Sequence, residues 1–287
     1  MPPFVALPDD FRAQSRKRWG EQAAGWESRR DLMRTASMPV SAWMIDALDP
    51  QPGQTLLELA AGTGDTGLLA AELIAPTGVL ICSDFAPEML AAAQRRAEEL
   101  GIENVRFKQI DAETSIDVEA ATLDGVLCRW GYMLMADPES ALRETRRVLK
   151  PGRRVALAAW AGPEHNPWSA LPNGELGERG LGGPPEPGTP HQFTWAEEGA
   201  IAEHLDAAGF TEHHVEALDF AMDYRSSDDW WTAQSELSKR FASALRQAGE
   251  ADVAVVRAAV ERHAERFRAA DGALRVPART WVAWAAA

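Results

Sequence analysis

Three glycines after a predicted strand have the spacing of a turn that brings the backbone close to a nucleotide-like ligand. Gly62, Gly64 and Gly67 are separated by one and then two residues. Glycine permits the close approach, and the helix that follows offers free N–H groups. Asp84 lies 20 residues after Gly64, where an acid can accept hydrogen bonds from ribose hydroxyls. The pattern suits several such ligands, and also a tight turn that binds nothing.

Two further acids help to distinguish these ligands. Glu58 lies inside the predicted first strand, where a buried carboxylate is costly unless a partner satisfies it. A ligand with an aliphatic ammonium group would help to do so. S-adenosylmethionine has this group and NAD does not. Asp111 ends the third predicted strand, where it can accept from an adenine amino group or simply cap a turn.

Short apolar runs alternate with amphipathic segments along the chain. The strands and helices that this pattern predicts must position the three acids. The predicted strands are 55–60, 78–85, 104–110, 124–130 and 153–160, and the predicted helices between them are 66–75, 86–100 and 138–149. This alternation is typical of βαβ units. It predicts an α/β fold with a doubly wound, mostly parallel sheet, whose ligand lies beyond the carboxyl ends of the strands.

Residues 55–160 resemble class I S-adenosylmethionine-dependent methyltransferases. The run Glu-Leu-Ala-Ala-Gly-Thr-Gly-Asp at 58–65 is especially similar to the ubiquinone/menaquinone-biosynthesis group of small-molecule methyltransferases. Four blocks carry the resemblance: residues 58–64, Ser83-Asp84 with Pro87-Glu88-Met89-Leu90, Asp111-Ala112, and Arg146 to Pro151-Gly152 before a strand. The resemblance implies a seven-stranded Rossmann-like sheet with a helical cap, and S-adenosylmethionine as the cofactor.

The resemblance also implies a set of cofactor-binding residues. The glycine-loop backbone would hold the methionyl part with support from Glu58, while Asp84 would bind the ribose and Asp111 the adenine. Arg129 and Trp130 would shape the methionyl and substrate side. The full expected set is Glu58, Ala60, Gly62, Thr63, Gly64, Asp84, Phe85, Met89, Asp111, Ala112, Arg129 and Trp130. Position 60 is alanine where many members of the family have glycine.

The implied reaction is an in-line displacement at the sulfonium methyl group, for which a general base is optional. The candidate bases are Tyr132, His165 and His191, with side-chain packing or plain exposure as the alternative interpretation of each. The chain contains 11 tryptophans. Trp130, Trp160 and Trp168 lie at or beyond predicted strand ends, where they would form a wall for an aromatic acceptor or pack into the core.

The segments outside the predicted sheet suggest a cap. Residues 1–50 are predicted to be helices interrupted around 35–39, and residues 226–270 a helical insertion. Residues 162–190 contain seven prolines and seven glycines, which indicates a lid loop or a surface linker. The cofactor-binding core is predicted at 51–161, and the remainder of the sheet at 191–225 and 271–287.

The composition of the chain limits the kinds of molecule that it is expected to bind. The formal charge of −14 disfavours nucleic acid, and the longest apolar runs are too short for a membrane span. No basic and apolar leader is evident at the N-terminus. Two cysteines favour the cytoplasm, and no spacing resembles a metal site. A small-molecule methyl acceptor is the expected partner, and a homodimer with a second copy of the chain stays open.

Two other functions stay open at this stage. An NAD(P)-dependent oxidoreductase of the short-chain type needs a Tyr-x-x-x-Lys pair, but Tyr132 is followed four residues later by Ala136 and Tyr224 by Asp228. A non-catalytic cofactor-binding subunit is compatible with every motif above.

Overall fold

The computed structural model describes residues 8–182 and 188–287, and seven strands within these ranges form one sheet. The strands are β1 (Thr55–Glu58), β2 (Val79–Asp84), β3 (Val105–Gln109), β4 (Leu123–Arg129), β5 (Leu149–Trp160), β6 (Glu212–Tyr224) and β7 (Leu274–Ala286). Their order is β3-β2-β1-β4-β5-β7-β6. Strands β1 to β5 pair in parallel, and β7 is antiparallel to both β5 and β6. The predicted α/β fold class is confirmed.

The helices fill the connections and form the cap. They are α1 (Pro8–Ser28), α2 (Arg30–Leu48), α3 (Asp65–Ile74), α4 (Pro87–Leu100), α5 (Pro138–Val148), α6 (Pro167–Gly177), α7 (Ala200–Ala207), α8 (Ser227–Leu237), α9 (Lys239–Gln247) and α10 (Glu250–Ala264). Helix α2 packs on α3 and several strands, whereas α5 packs on α7. The chain order reverses between β1 and β4, and this switch point is where such sheets bind ligands.

The central strands are apolar because neighbouring strands and helices bury them. Leu56 and Leu57 of β1 and Val126 and Leu127 of β4 are almost completely inaccessible to solvent. Cys82 and Cys128 lie on the strands that flank β1 and are buried and unbridged. Two strand spacings, about 9–10 Å, exceed the reach of a disulfide.

The N-terminal helices differ from the prediction. The interruption lies at Arg29, and Pro39 is inside α2 rather than at a break. A helical proline costs about 3 kcal/mol. Burial of Met33, Val40 and Met44 on one face of α2 outweighs this cost.

The predicted lid loop is also partly wrong. Residues Pro163–His165 form a 3-10 turn and Pro167–Gly177 form α6, while 183–187 fall outside the described residues. Pro167 stands in the first turn of α6, where its missing N–H costs nothing. Trp168 and Leu176 bury one side of the helix, which offsets the poor helix propensity of its glycines.

The residues described here contain no helix long and apolar enough to cross a membrane. Within the same ranges, no group of three or more His, Cys, Asp or Glu side chains is placed to hold a metal ion.

Candidate active site

A cavity of about 640 Å³ opens at the carboxyl ends of β1, β2 and β4. Its sheet side includes residues 59–63, 84–85, 110–113, 129–131 and 133–135. Its other side consists of residues from α1, α6, α8 and α9 together with residues 190–193. The cavity therefore lies between the glycine loop and the cap helices.

The glycine loop has the backbone that its sequence predicts. Gly62 and Gly64 have φ of +57° and +82°, and Gly64 is the N-cap of α3. These are left-handed conformations that glycine adopts at little cost. Ala60 also has a positive φ, +51°. Ala60, Gly62 and Thr63 line the cavity, while Gly64 supports the loop from behind.

Asp84 joins the end of β2 to the glycine loop. Its Oδ2 accepts the N–H of Gly62 over 3.0 Å, and its Oδ1 accepts the N–H of Ala86 over 2.9 Å. Burial raises the pKa of Asp84 to about 6, although the backbone N–H groups oppose the shift. Each oxygen retains a lone pair, and the side chain lines the cavity, as a ribose acceptor requires.

Glu58 supports the loop from beneath. Its Oε1 accepts the N–H of Gly67 over 2.8 Å, and the side chain is not among the residues that line the cavity. Burial raises the pKa of Glu58 to about 8, against the lowering effect of the Gly67 N–H and of Arg129. Glu58 therefore meets the predicted supporting role but presents no carboxylate at the cavity surface.

Arg129 brings an unsatisfied positive charge to the cavity. Its Nη2 lies 4.0 Å from Asp65 Oδ2, and its guanidinium carbon lies 4.7 Å from the centre of the Trp130 ring. Arg129 Nη1 and Asp65 Oδ1 are buried and have no hydrogen-bond partner among the described residues. An unpaired buried polar atom is costly. Arg129 lines the cavity and therefore fits a ligand carboxylate, whereas Asp65 is not among the lining residues and pairs with Arg129 instead.

The far wall of this half of the cavity contains Phe85, Met89, Asp111 and Ala112, all from the predicted set. Asp111 Oδ2 lies 3.5 Å from Arg12 Nε and 3.7 Å from Arg16 Nη2. Helix α1 is thereby ion-paired to the cavity edge, a contact that sequence reasoning did not anticipate.

Two of the three candidate bases are wrong. The Tyr132 hydroxyl is buried and shares a 2.6 Å hydrogen bond with Thr145 Oγ1, and its ring stacks on Trp195. Burial raises the pKa of Tyr132 well above its usual value, and the side chain does not line the cavity. His165 also lies outside the lining, with its Nε2 3.5 Å from the exposed Glu164.

His191 does line the cavity, but its hydrogen bonding limits its role. Its Nδ1 accepts the N–H of Phe193 over 3.1 Å. Burial and the nearby Arg240 lower the pKa of His191, so the ring is neutral at pH 7. We assign the tautomer from this hydrogen bond: the remaining proton is on Nε2, which makes His191 a donor to the cavity.

Aromatic and sulfur-containing side chains form the part of the cavity next to Arg129. Trp130 stacks on Trp160 with 4.1 Å between ring centres, and Trp168 lies 4.9 Å from Trp160. Met133 and Met135 complete this surface. Trp130 has φ of +60°, and its Nε1 donates to Thr280 Oγ1 over 3.0 Å. The predicted aromatic wall is therefore present.

Comparison with known proteins agrees with this geometry. A family model described as a methyltransferase domain matches residues 50–168. The relatives that match this segment include demethylmenaquinone methyltransferase of Thermus thermophilus, 41% identical over 117 residues that cover 41% of this chain and 51% of that protein. A ubiquinone/menaquinone biosynthesis C-methyltransferase of Pasteurella multocida is 33% identical over 130 residues, 45% of this chain and 48% of that protein.

The chain spans about half the length of the curated relatives it matches. Among solved structures, the YcgJ protein of Bacillus subtilis aligns with a TM-score of 0.56 at 21% identity, covering 86% of this chain and 97% of that one. That likeness supports the seven-stranded fold. The cap residues Arg18, Asn173, Gln234 and Arg240, which line the cavity, were not anticipated. They lie far from the motifs, in segments that no motif describes.

Proposed function

We propose that this chain is an S-adenosylmethionine-dependent methyltransferase that acts on a small, aromatic or partly apolar acceptor. The observation that carries the proposal is Arg129, whose buried and unpaired Nη1 lies in the wall of a cavity that also contains Asp84 and the glycine loop. NAD has no carboxylate next to an aliphatic ammonium, whereas the methionyl end of S-adenosylmethionine has both.

Different residues of the cavity hold different parts of the cofactor. Arg129 holds the carboxylate, and Asp65 at the N-terminus of α3 lies beside Arg129 without lining the cavity. Asp84 accepts hydrogen bonds from the ribose, and Asp111 with Phe85 and Met89 encloses the adenine. Glu58 keeps Gly67 and the loop in place without touching the cofactor.

When bound, the cofactor supplies an activated methyl group on a sulfonium. The chain aligns the acceptor with this group and excludes water. The stacked Trp130 and Trp160 and the neighbouring Trp168 orient a flat acceptor beside Arg129. Helices α1, α6, α8 and α9 cover the cavity as a cap, which corresponds to the cap proposed for 1–50 and 226–270.

The test is calorimetric titration with S-adenosylmethionine, S-adenosylhomocysteine, NAD and NADP. We expect micromolar binding of the first two and none of the others. Arg129→Gln should weaken binding of S-adenosylhomocysteine by about 1–3 kcal/mol, because a charge-assisted hydrogen bond is lost. The matched control is Arg106→Gln, since Arg106 is exposed on the edge strand β3. Binding of NAD, or full affinity in Arg129→Gln, would refute the proposal.

A further inference from the structure

The cap side of the cavity carries hydrogen-bond donors and positive charge, whereas the cofactor side combines Arg129 with the acidic residues of the lining. The acidic residues that line the cavity among the described residues are Asp84, Asp111 and Glu113, and all three follow strands β2 and β3. The basic residues on the cap side are Arg18 on α1 and Lys239 and Arg240 on α9. The cavity therefore has an acidic end for the cofactor and a basic end under the cap.

Two buried nitrogen atoms at the cap end lack partners. Trp26 Nε1 on α1 and Gln234 Nε2 on α8 are inaccessible to solvent and make no hydrogen bond with a described residue. Gln234 is 2% exposed, and both residues belong to the cavity wall. Both atoms are donors, and because less than 1 Å² of each is accessible, a side-chain rotation toward the cavity, away from the Tyr224 hydroxyl for Gln234, would bring them to an oxygen acceptor.

Arg18 and Arg240 have no acidic partner within the described part of the chain. Arg18 donates to Ser15 Oγ over 3.2 Å, and Arg240 donates to the carbonyl of Gly182 over 2.8 Å. Lys239, in contrast, is paired with Glu21. Both residues keep an exposed surface, and partial desolvation lowers the pKa of each guanidinium group, which an anion beside them would offset.

His191 adds a further donor of the same kind. Its neutral tautomer carries the proton on Nε2, and Arg240 lies close enough to lower its pKa. Five side chains of the cap end (Arg18, Trp26, His191, Gln234 and Arg240) thus offer N–H groups.

We infer that the methyl acceptor is an aromatic carboxylate, with its carboxylate held at the cap end by Arg18 and Arg240 and its ring against Trp160 and Trp168. This inference rests on the proposed function. A carboxylate has about four lone-pair sites and matches a guanidinium in a bidentate manner. Cationic amines are excluded, because Arg18 and Arg240 would repel them. Trp26, His191 and Gln234 donate to the remaining lone pairs.

The experiment measures binding by calorimetry at pH 7 with the full chain saturated with S-adenosylhomocysteine. The probes are benzoate and 2-naphthoate, their neutral carboxamides, and the cations benzylamine and 2-naphthylmethylamine. We expect at least one carboxylate to bind about tenfold more tightly than its carboxamide, and neither amine to bind.

Variants of the cap residues test which side chains cause the preference for a carboxylate over its carboxamide. Arg18→Gln, Arg240→Gln and Gln234→Leu should each remove most of the tenfold preference, and Arg106→Gln on β3 should keep it. Unchanged binding of S-adenosylhomocysteine to each variant shows that the fold and the cofactor end are intact.

Four results would overturn the inference: neither carboxylate binds saturably, the carboxamide binds as tightly as its carboxylate, an amine binds more tightly, or the preference survives in all three cap variants. Any of these, found together with normal binding of S-adenosylhomocysteine, refutes the carboxylate and leaves the methyltransferase proposal standing. Absence of S-adenosylhomocysteine binding to the wild-type chain refutes both.

Discussion

Asp84 at the end of β2 accepts the backbone N–H of Gly62 over 3.0 Å, which ties the second strand directly to the glycine loop. One carboxylate therefore fixes the shape of the loop and faces the cavity. Because burial raises the pKa of Asp84 to about 6, its charge changes just below neutral pH.

This pKa predicts a pH dependence of cofactor binding. The ribose hydroxyls donate to the ionised carboxylate, so affinity for S-adenosylhomocysteine should rise as the pH increases from 5 to 7. At pH 5 only about a tenth of Asp84 is ionised, and the dissociation constant should be about tenfold larger than its limiting value. Calorimetry across this range measures it. Asp84→Asn should bind more weakly and lose the dependence, whereas Asp117→Asn at the surface should keep it.

Glu58 predicts a pH dependence of stability in the ligand-free protein. Its folded pKa of about 8 is above its ordinary value of 4.5. The stabilisation from its protonated form is complete below pH 4.5 and is lost as the pH rises through 8. The free energy of unfolding should therefore fall less between pH 5 and 8 in Glu58→Gln than in the wild type. Urea unfolding measures the slope. An unchanged slope in Glu58→Gln, matching that of the exposed Glu98→Gln, would contradict the prediction.

Gly67 should not tolerate a methyl group. A Cβ at Gly67 would lie 2.2 Å from Glu58 Oε2. Overpacking of this kind costs about 1–3 kcal/mol, so Gly67→Ala should lower the free energy of unfolding by that amount. Gly174→Ala in α6, where the new Cβ meets nothing within 4 Å, is the control and should be neutral or stabilising. Equal stabilities of the two variants would show that the contact is relieved by movement of Glu58.

Arg29 should stabilise the cap more than a surface arginine does. Its side chain is 16% exposed and pairs with Asp229, 10% exposed, over 2.7 Å, and also with Glu236. These contacts join the α1–α2 junction to α8. Arg29→Met should lower the free energy of unfolding by about 1–3 kcal/mol, since Asp229 loses its buried partner. Arg95→Gln, which breaks an exposed pair with Glu27, should cost less than about 1 kcal/mol. If chemical denaturation showed the same loss of unfolding free energy in both variants, the difference between the buried and the exposed pair would be refuted.

Local patterns in the sequence were sufficient for the sheet and the cofactor end. The alternation of apolar runs with amphipathic segments predicted the doubly wound sheet, and Gly62, Gly64 and Asp84 predicted the switch-point site. These features depend on neighbours in the chain or on the handedness of βαβ units, so short spacings determine them. The separation of Cys82 and Cys128 by β1 followed from the same order.

The helix boundaries and the candidate bases depended on the tertiary structure. Pro39 inside α2 and Pro167–Gly177 as α6 contradict local propensity, because burial of one helix face contributes more than the propensity of single residues. Tyr132 was a candidate base by its place after β4, but packing against Trp195 and bonding to Thr145 remove it from the cavity.

The sequence by itself determined the fold class and most of the residues on the sheet side of the cavity, since both come from short, contiguous motifs. The tertiary structure decided which side chains form the cap side of the cavity. Arg18, Trp26, Gln234 and Arg240 are up to 222 positions apart, and only the packing of α1 on α8 and α9 around one cavity brings them to the same wall. No local sequence pattern identifies these four residues as neighbours, because long-range packing determines the distances between them.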